Sequence, residues 1–203
     1  NKTITIDTNI DWEATSDQSW CTVSRNGNNL TIRVTAYSGS SASRKATISF
    51  KGLLSKIEVN QSKYAVGDQY SENGVKGEVV YMNDTVRYVK KEVGESIWST
   101  ENVETGANDN YDGMKNMAVI KKISGWKNLY PAFALCDALN TSGVTGWYLP
   151  AYYELSNRIR PANGTYWSSS ESSNKYAGYY SPSETNAARK TDTKLKVMAV
   201  HKF

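Results

Sequence analysis

Gly146-Trp147-Tyr148-Leu149-Pro150 and, further along, Tyr166-Trp167-Ser168-Ser169-Ser170-Glu171 bracket a short segment with helical spacing. How this stretch is read decides the rest of the chain. Bulky aromatics fix a segment against a core, whereas the Ser, Asn and Tyr residues after them are free to face a ligand. Trp147, Leu149 and Trp167 are therefore expected in the core, and the residues after Trp167 at a binding surface. Pro150 is expected to open a short helix with Leu155 and Ile159 on its buried side.

Upstream, Tyr130-Pro131 marks the clearest helix start, because Pro suits a first helical turn. Ala132, Leu135, Cys136 and Leu139 make one apolar face, with Gly143 as the stop. Met114, Met117, Ala118 and Lys121 also fall at helical spacing. Gly77 to Tyr81 and Val86 to Lys90 read as a hairpin around Met82-Asn83-Asp84-Thr85. Between them and the helices lies a polar, Gly-rich region from Gly94 to Gly113 that contains Trp98. The chain closes with strands around Tyr176 to Tyr180 and Leu195 to Val200. Short helices and strands joined by long loops predict an α+β domain over 64–203.

Residues 1–63 read differently. Apolar and polar residues alternate at Ile4 and Ile6, at Leu30, Ile32, Val34 and Ala36, at Ala46, Ile48 and Phe50, and at Ile57 and Val59. A period of two repeated this often predicts half-buried antiparallel strands. Asn26-Gly27-Asn28, Ser38-Gly39-Ser40-Ser41 and Lys51-Gly52 supply the turns. The result is an all-β, immunoglobulin-like sandwich, with Trp12 and Trp20 packing on its sheets. Gln61-Ser62-Lys63 closes this pattern and Tyr64-Ala65-Val66-Gly67-Asp68 opens a new one, so the linker is very short.

Composition narrows the function classes. The chain has 203 residues, with 24 basic and 20 acidic side chains and a net charge of +4. No dense Lys/Arg stripe accompanies that balance, so no nucleic-acid partner is expected. No apolar run is long enough to span a membrane as a helix. The pattern is already strand-like at Asn1, which leaves room for an upstream segment and a lipid anchor on it. Cys21 and Cys136 lack any metal-type spacing.

Two ordered motif sets carry resemblances. Trp12-Glu13-Ala14, Ser19-Trp20-Cys21-Thr22-Val23, Arg44-Lys45-Ala46-Thr47-Ile48 and Ile57-Glu58-Val59-Asn60-Gln61 resemble the BACON domain, a module of surface and secreted proteins of Bacteroidetes. That resemblance implies a carbohydrate-binding or a spacer role, and the spacer is the reading adopted, because no cluster of exposed aromatics is apparent. In the second segment the motifs are Tyr64-Ala65-Val66-Gly67-Asp68-Gln69-Tyr70, Asp112-Gly113-Met114-Lys115-Asn116, Tyr130-Pro131-Ala132-Phe133, Gly146 to Pro150, Tyr166 to Glu171 and Val197-Met198-Ala199-Val200. Together they resemble a DUF1566-type domain of the C-type-lectin-like fold. The resemblance implies that ligands meet the loops and late strands, here Trp167 through Asn186. Composition agrees: Tyr offers area at low entropic cost, and Ser and Asn adapt their hydrogen bonds. The candidate ligand-binding residues are Ser170, Glu171, Asn174, Tyr176, Tyr179, Tyr180 and Asn186.

No catalytic chemistry is expected. His201, the single histidine, lies in the last strand and is read as a surface residue. Glu154 and Glu171 are the tempting carboxylate pair for glycoside hydrolysis, yet both sit in motifs better read as structural. Asp109, Asn110 and Asp112 form an oxygen-rich cluster without the spacing of a calcium loop. Neither Glu-Pro-Asn nor Gln-Pro-Asp occurs, so no metal or other cofactor is expected; Asp112 reads as a helix-entry residue. The sequence thus predicts a non-catalytic protein at the extracellular or outer-membrane surface, binding a glycan or a host or bacterial surface protein. The alternative is a structural subunit or spacer of a surface assembly.

Overall fold

The computed structural model describes residues 1–37, 39, 43–83 and 85–203, and at Thr185 the backbone alone. The expected turn at Ser38-Gly39-Ser40-Ser41 and Asp84 of the expected hairpin turn fall outside these residues, Gly39 excepted. The chain divides into two compact units, Asn1–Ala65 and Val66–Phe203.

The first unit contains β1 (Lys2–Thr5), β2 (Glu13–Ser16), β3 (Cys21–Asn26), β4 (Asn29–Val34), β5 (Ser43–Lys51) and β6 (Lys56–Ser62). They form two three-stranded antiparallel sheets, ordered β1-β4-β3 and β2-β5-β6. Alternation along the strands puts Leu30, Ile32, Ala46, Ile48 and Phe50 in one core with Trp12 and Cys21. Trp12 meets Phe50 edge-on at 5.7 Å. Trp20 is half-buried and is covered by the Arg44 guanidinium, 4.1 Å from its ring centroid. Arg44 also donates to Gln61 Oε1 and to the Thr35 carbonyl. The Arg of the Arg-x-Ala-Thr-Ile strand thereby joins β5, β6 and the segment after β4.

The second unit opens with β7 (Gln69–Glu72), β8 (Val75–Met82) and β9 (Arg87–Ser96). Three helices follow: α1 (Gly113–Ile120), α2 (Trp126–Leu129) and α3 (Pro131–Asp137). A π-helical turn, α4 (Glu154–Ile159), precedes β10 (Tyr166–Glu171), β11 (Tyr176–Tyr180), β12 (Thr185–Arg189) and β13 (Leu195–Lys202). The strands make one sheet in the order β12-β11-β10-β13-β9-β8-β7, antiparallel throughout except for β10 beside β13. Trp98, Phe133, Cys136, Leu149, Trp167 and Val197 to Val200 are buried, and α3 packs on β13 and β9.

Several boundaries differ from the sequence reading. Pro131 does occupy the first turn of α3, but the helix ends at Asp137, well before Gly143. Its buried face uses Phe133, whereas Leu135 is only half-buried. After Pro150 the chain is helical from Tyr152, with Leu155 and Ile159 buried as expected, and the Glu154 carboxylate reaches back to accept from the Ala151 N–H at the helix start. Tyr166-Trp167-Ser168-Ser169-Ser170-Glu171 is itself a strand, with every residue buried.

Candidate functional site

The site is built around an irregularity in β10. Trp167 pairs with Tyr179, and the next pair is Glu171 with Ala177. Three residues, Ser168 to Ser170, therefore stand opposite Gly178 alone, and the strand bulges. On the bulge, the Ser169 and Glu171 N–H groups donate to the carbonyls of Pro150 and Ala107, at 2.8 and 2.7 Å. Ser170 Oγ donates to the Asp109 carbonyl and accepts from the Tyr152 N–H. Two loops are thereby drawn over the sheet. Between them and β11–β12 lies an open cleft of about 300 Å³, lined by Asn110, Tyr152, Tyr153, Ser170, Ser172, Gly178, Asn186 and Ala187.

The space above Gly178 is tight. A Cβ on it would lie 2.9 Å from Ser168 Oγ and 3.1 Å from the Tyr152 ring. Tyr153 stacks on Tyr111 with centroids 4.6 Å apart, and Tyr111 is 70% exposed. The Tyr153 N–H donates to the Asn110 main-chain carbonyl, and the Asn110 side chain is exposed.

The sequence-derived candidates separate. Ser170 and Asn186 line the cleft, although Ser170 is buried and most of its hydroxyl capacity is committed. Glu171 is corrected to an interior residue. Its Oε1 accepts from Lys190 Nζ at 2.6 Å, and its Oε2 accepts from the N–H groups of Thr105 and Gly106. Asn174 is exposed on the turn between β10 and β11, away from the cleft. The three tyrosines do not form one surface: successive side chains on a strand point to opposite faces, so Tyr179 opposes Tyr176 and Tyr180. Tyr176 is 40% exposed, Tyr180 is buried, and the Tyr179 hydroxyl donates to Glu184 at 2.8 Å. Tyr152 and Tyr153 were not among the candidates; their Tyr-Tyr pair is the one local signal that marks them.

The remaining chemical groups are engaged within the fold. Glu154 is buried and accepts from the hydroxyls of Tyr88 and Tyr148 and from the N–H groups of Gly113 and Ala151. Burial, with the Glu154 charge, pushes the Tyr88 phenol up to about 12. Asp112 caps α1 through the Met114 and Lys115 N–H groups. Asp109 accepts from the N–H groups of Tyr111 and Asp112 and pairs with Lys115. Those bonds, the one from Tyr111 foremost, hold its carboxyl below the usual carboxylate range. Among the described residues no cluster of three or more His, Cys, Asp or Glu side chains could hold a metal ion. His201 is half-buried rather than free at the surface, because it packs edge-on against Trp147 with Nε2 2.8 Å from the Thr145 carbonyl oxygen. Among the described residues no helix is long and apolar enough to cross a membrane.

Comparison with known proteins gives three findings. No curated protein matches the chain. The crystal structure of a fimbrial protein from Bacteroides ovatus is similar with a TM-score of 0.47 and 12% identity; it covers 96% of this chain, and the chain spans 64% of that protein. Residues 11–62 match the BACON family, described as "Putative binding domain, N-terminal". The first unit of this chain thus carries a BACON domain over residues 11–62.

Proposed function

We propose that this chain is a non-catalytic surface binding protein whose second unit, a C-type-lectin-like domain, takes a glycan or protein ligand in the cleft over β10–β12. The carrying observation is the convergence of Asn110, Tyr152, Tyr153, Ser172 and Asn186 on one concave surface at the end of the sheet. Concave sites with a few convergent polar groups are where ligands bind. The BACON domain of the first unit acts as a spacer that presents the second unit, at an extracellular or outer-membrane surface. No reaction is assigned, since Glu154 and Glu171 are both fully engaged by internal donors.

The test is binding of the fluorescently labelled chain to bacterial and epithelial cells, wild type against Ala187→Trp. Ala187 lines the cleft and is half-buried, so an indole there fills it. Saturable binding that falls at least about tenfold (about 1.4 kcal/mol) in the variant, at unchanged melting temperature, supports the cleft. Equal binding by both proteins removes it.

The structural-subunit reading draws on a different observation: β12 is a terminal strand of the seven-stranded sheet, paired on one side with β11. Open edges are templates for strand pairing with another chain. Concentration-dependent assembly in light scattering, without added ligand, would favour that role.

A further inference from the structure

We infer that the cleft over β10–β12 is a site for a neutral carbohydrate, read by amides and hydroxyls beside a tyrosine shelf. This rests on the cleft being the binding site, as proposed above, and adds the chemical class of its ligand. No Asp, Glu, Lys, Arg or His lines the cleft. An anionic ligand such as a phosphate, sulfate or sialic acid would meet no counter-charge there, and burying it unpaired is costly. The lining offers uncharged groups of both polarities. Among the described residues the Asn110 amide and the hydroxyls of Ser172, Tyr152 and Tyr153 have no protein partner. Asn186 uses only Oδ1, which accepts from the Ala187 N–H, and keeps both amide protons available.

Amides and hydroxyls donate and accept at once, and so match a ring bearing several hydroxyl groups. A sugar ring also has an apolar C–H face, which an aromatic ring covers. Tyr153, stacked on Tyr111 and met edge-on by Tyr152 at 5.2 Å, supplies such a ring at the cleft. About 300 Å³ is at the small end of the range for ligand pockets, about 300–1,000 Å³. The cleft is therefore sized for one or two sugar units of a longer chain. Gly178 completes the design, because any side chain there would displace Tyr152.

The experiment measures retention of the full chain on immobilised neutral polysaccharides (mannan, galactan, glucan and xylan) against heparin and polygalacturonate. Asn110→Ala, Asn186→Ala and Ala187→Trp are run beside the wild type, with melting temperature as the folding control. Expected is saturable retention on at least one neutral polymer, reduced about tenfold by each Asn variant, as for loss of about one hydrogen bond, and abolished by Ala187→Trp. Retention on the anionic polymers alone, or on none, overturns the inference. Cell binding is then compared after periodate, which cleaves vicinal diols, and after proteinase. Binding that resists periodate, is lost with proteinase and still needs an open cleft overturns the sugar class while leaving the cleft as the site. Sugar binding unchanged by Ala187→Trp overturns both.

Discussion

Lys190 and Glu171 form an ion pair of 2.6 Å in which both side chains are out of contact with solvent, 0% and 2% exposed. The pair holds the far side of β10 in place. Lys190 Nζ also donates to the Val103 carbonyl at 2.7 Å, and Glu171 accepts from the Thr105 and Gly106 N–H groups. The loop before α1, one source of the cleft's wall, is thereby tied to the last turn of the sheet.

Removing one member of this pair leaves an uncompensated buried charge. Lys190→Met is expected to cost about 3–5 kcal/mol, read as a lower urea midpoint at constant m-value. Adding Glu171→Gln should recover part of the loss, because the amide carbonyl still accepts from the loop while the lone charge is gone. A Lys190→Met protein within about 1 kcal/mol of wild type would contradict this account.

The Tyr88 phenol gives a pH-dependent readout. Burial and then Glu154 push it up to about 12, from an ordinary value near 10. The folded state thus favours the protonated form. That stability is fully present below about pH 10 and is lost as pH rises through about 12. Ultraviolet titration should show Tyr88 ionising late in the native protein. In Glu154→Gln its ionisation should move toward the ordinary range, but only part of the way, since burial is the larger cause.

In the first unit, Arg44→Lys should fail to replace Arg44. The guanidinium plane covers Trp20 and Tyr37 at 4.1 and 4.7 Å and bonds Gln61 and Thr35 at the same time. A lysine keeps the charge but not the planar fork. The expected loss is about 1–2 kcal/mol, with a red shift in Trp20 emission; a silent Arg44→Lys would show that charge alone suffices.

Gly178→Ala probes the cleft from below. Its methyl group would press on Ser168 Oγ and the Tyr152 ring. Such overpacking costs about 1–3 kcal/mol, and ligand binding should weaken further as Tyr152 moves into the cleft. Binding at wild-type strength in a measurably destabilised variant would separate the bulge from the site.

Cys21 and Cys136 are both free and buried. Burial, with Asp137 next in the chain, pushes the Cys136 thiol far up. Neither should react with a thiol reagent at neutral pH until the protein unfolds. Rapid labelling of either in the native state would argue for local opening of its core.

Part of the first unit was legible because the centres of β4 and β5 state their own faces, whereas Val34 and Ala36, expected on the buried face, are exposed. Leu30 and Ile32, or Ala46 and Ile48, are buried as their alternation demands. Asp112 was legible for the same local reason, since a helix cap acts within a few residues. Ser168 to Glu171 misled because they are polar yet wholly buried. Several of their partners, among them Thr105 and Asp109, lie more than sixty residues away in the chain, and polarity alone does not distinguish a solvated group from a satisfied one.

The sequence by itself determined the strand periodicity of the first unit, the Pro131 helix start, and the burial of Trp147, Leu149 and Trp167. Each follows from side-chain size, apolarity or backbone preference acting over a few residues. Only the tertiary structure decided which polar residues are available to a ligand. The bulge of three residues against one in β10 drew two loops over the sheet, Glu171 met Lys190 in the interior, and Asn110, Tyr153 and Asn186 came to border one cleft. That choice depends on strand register and long-range hydrogen bonds, which pair residues far apart in the chain and leave no mark on the sequence around either partner.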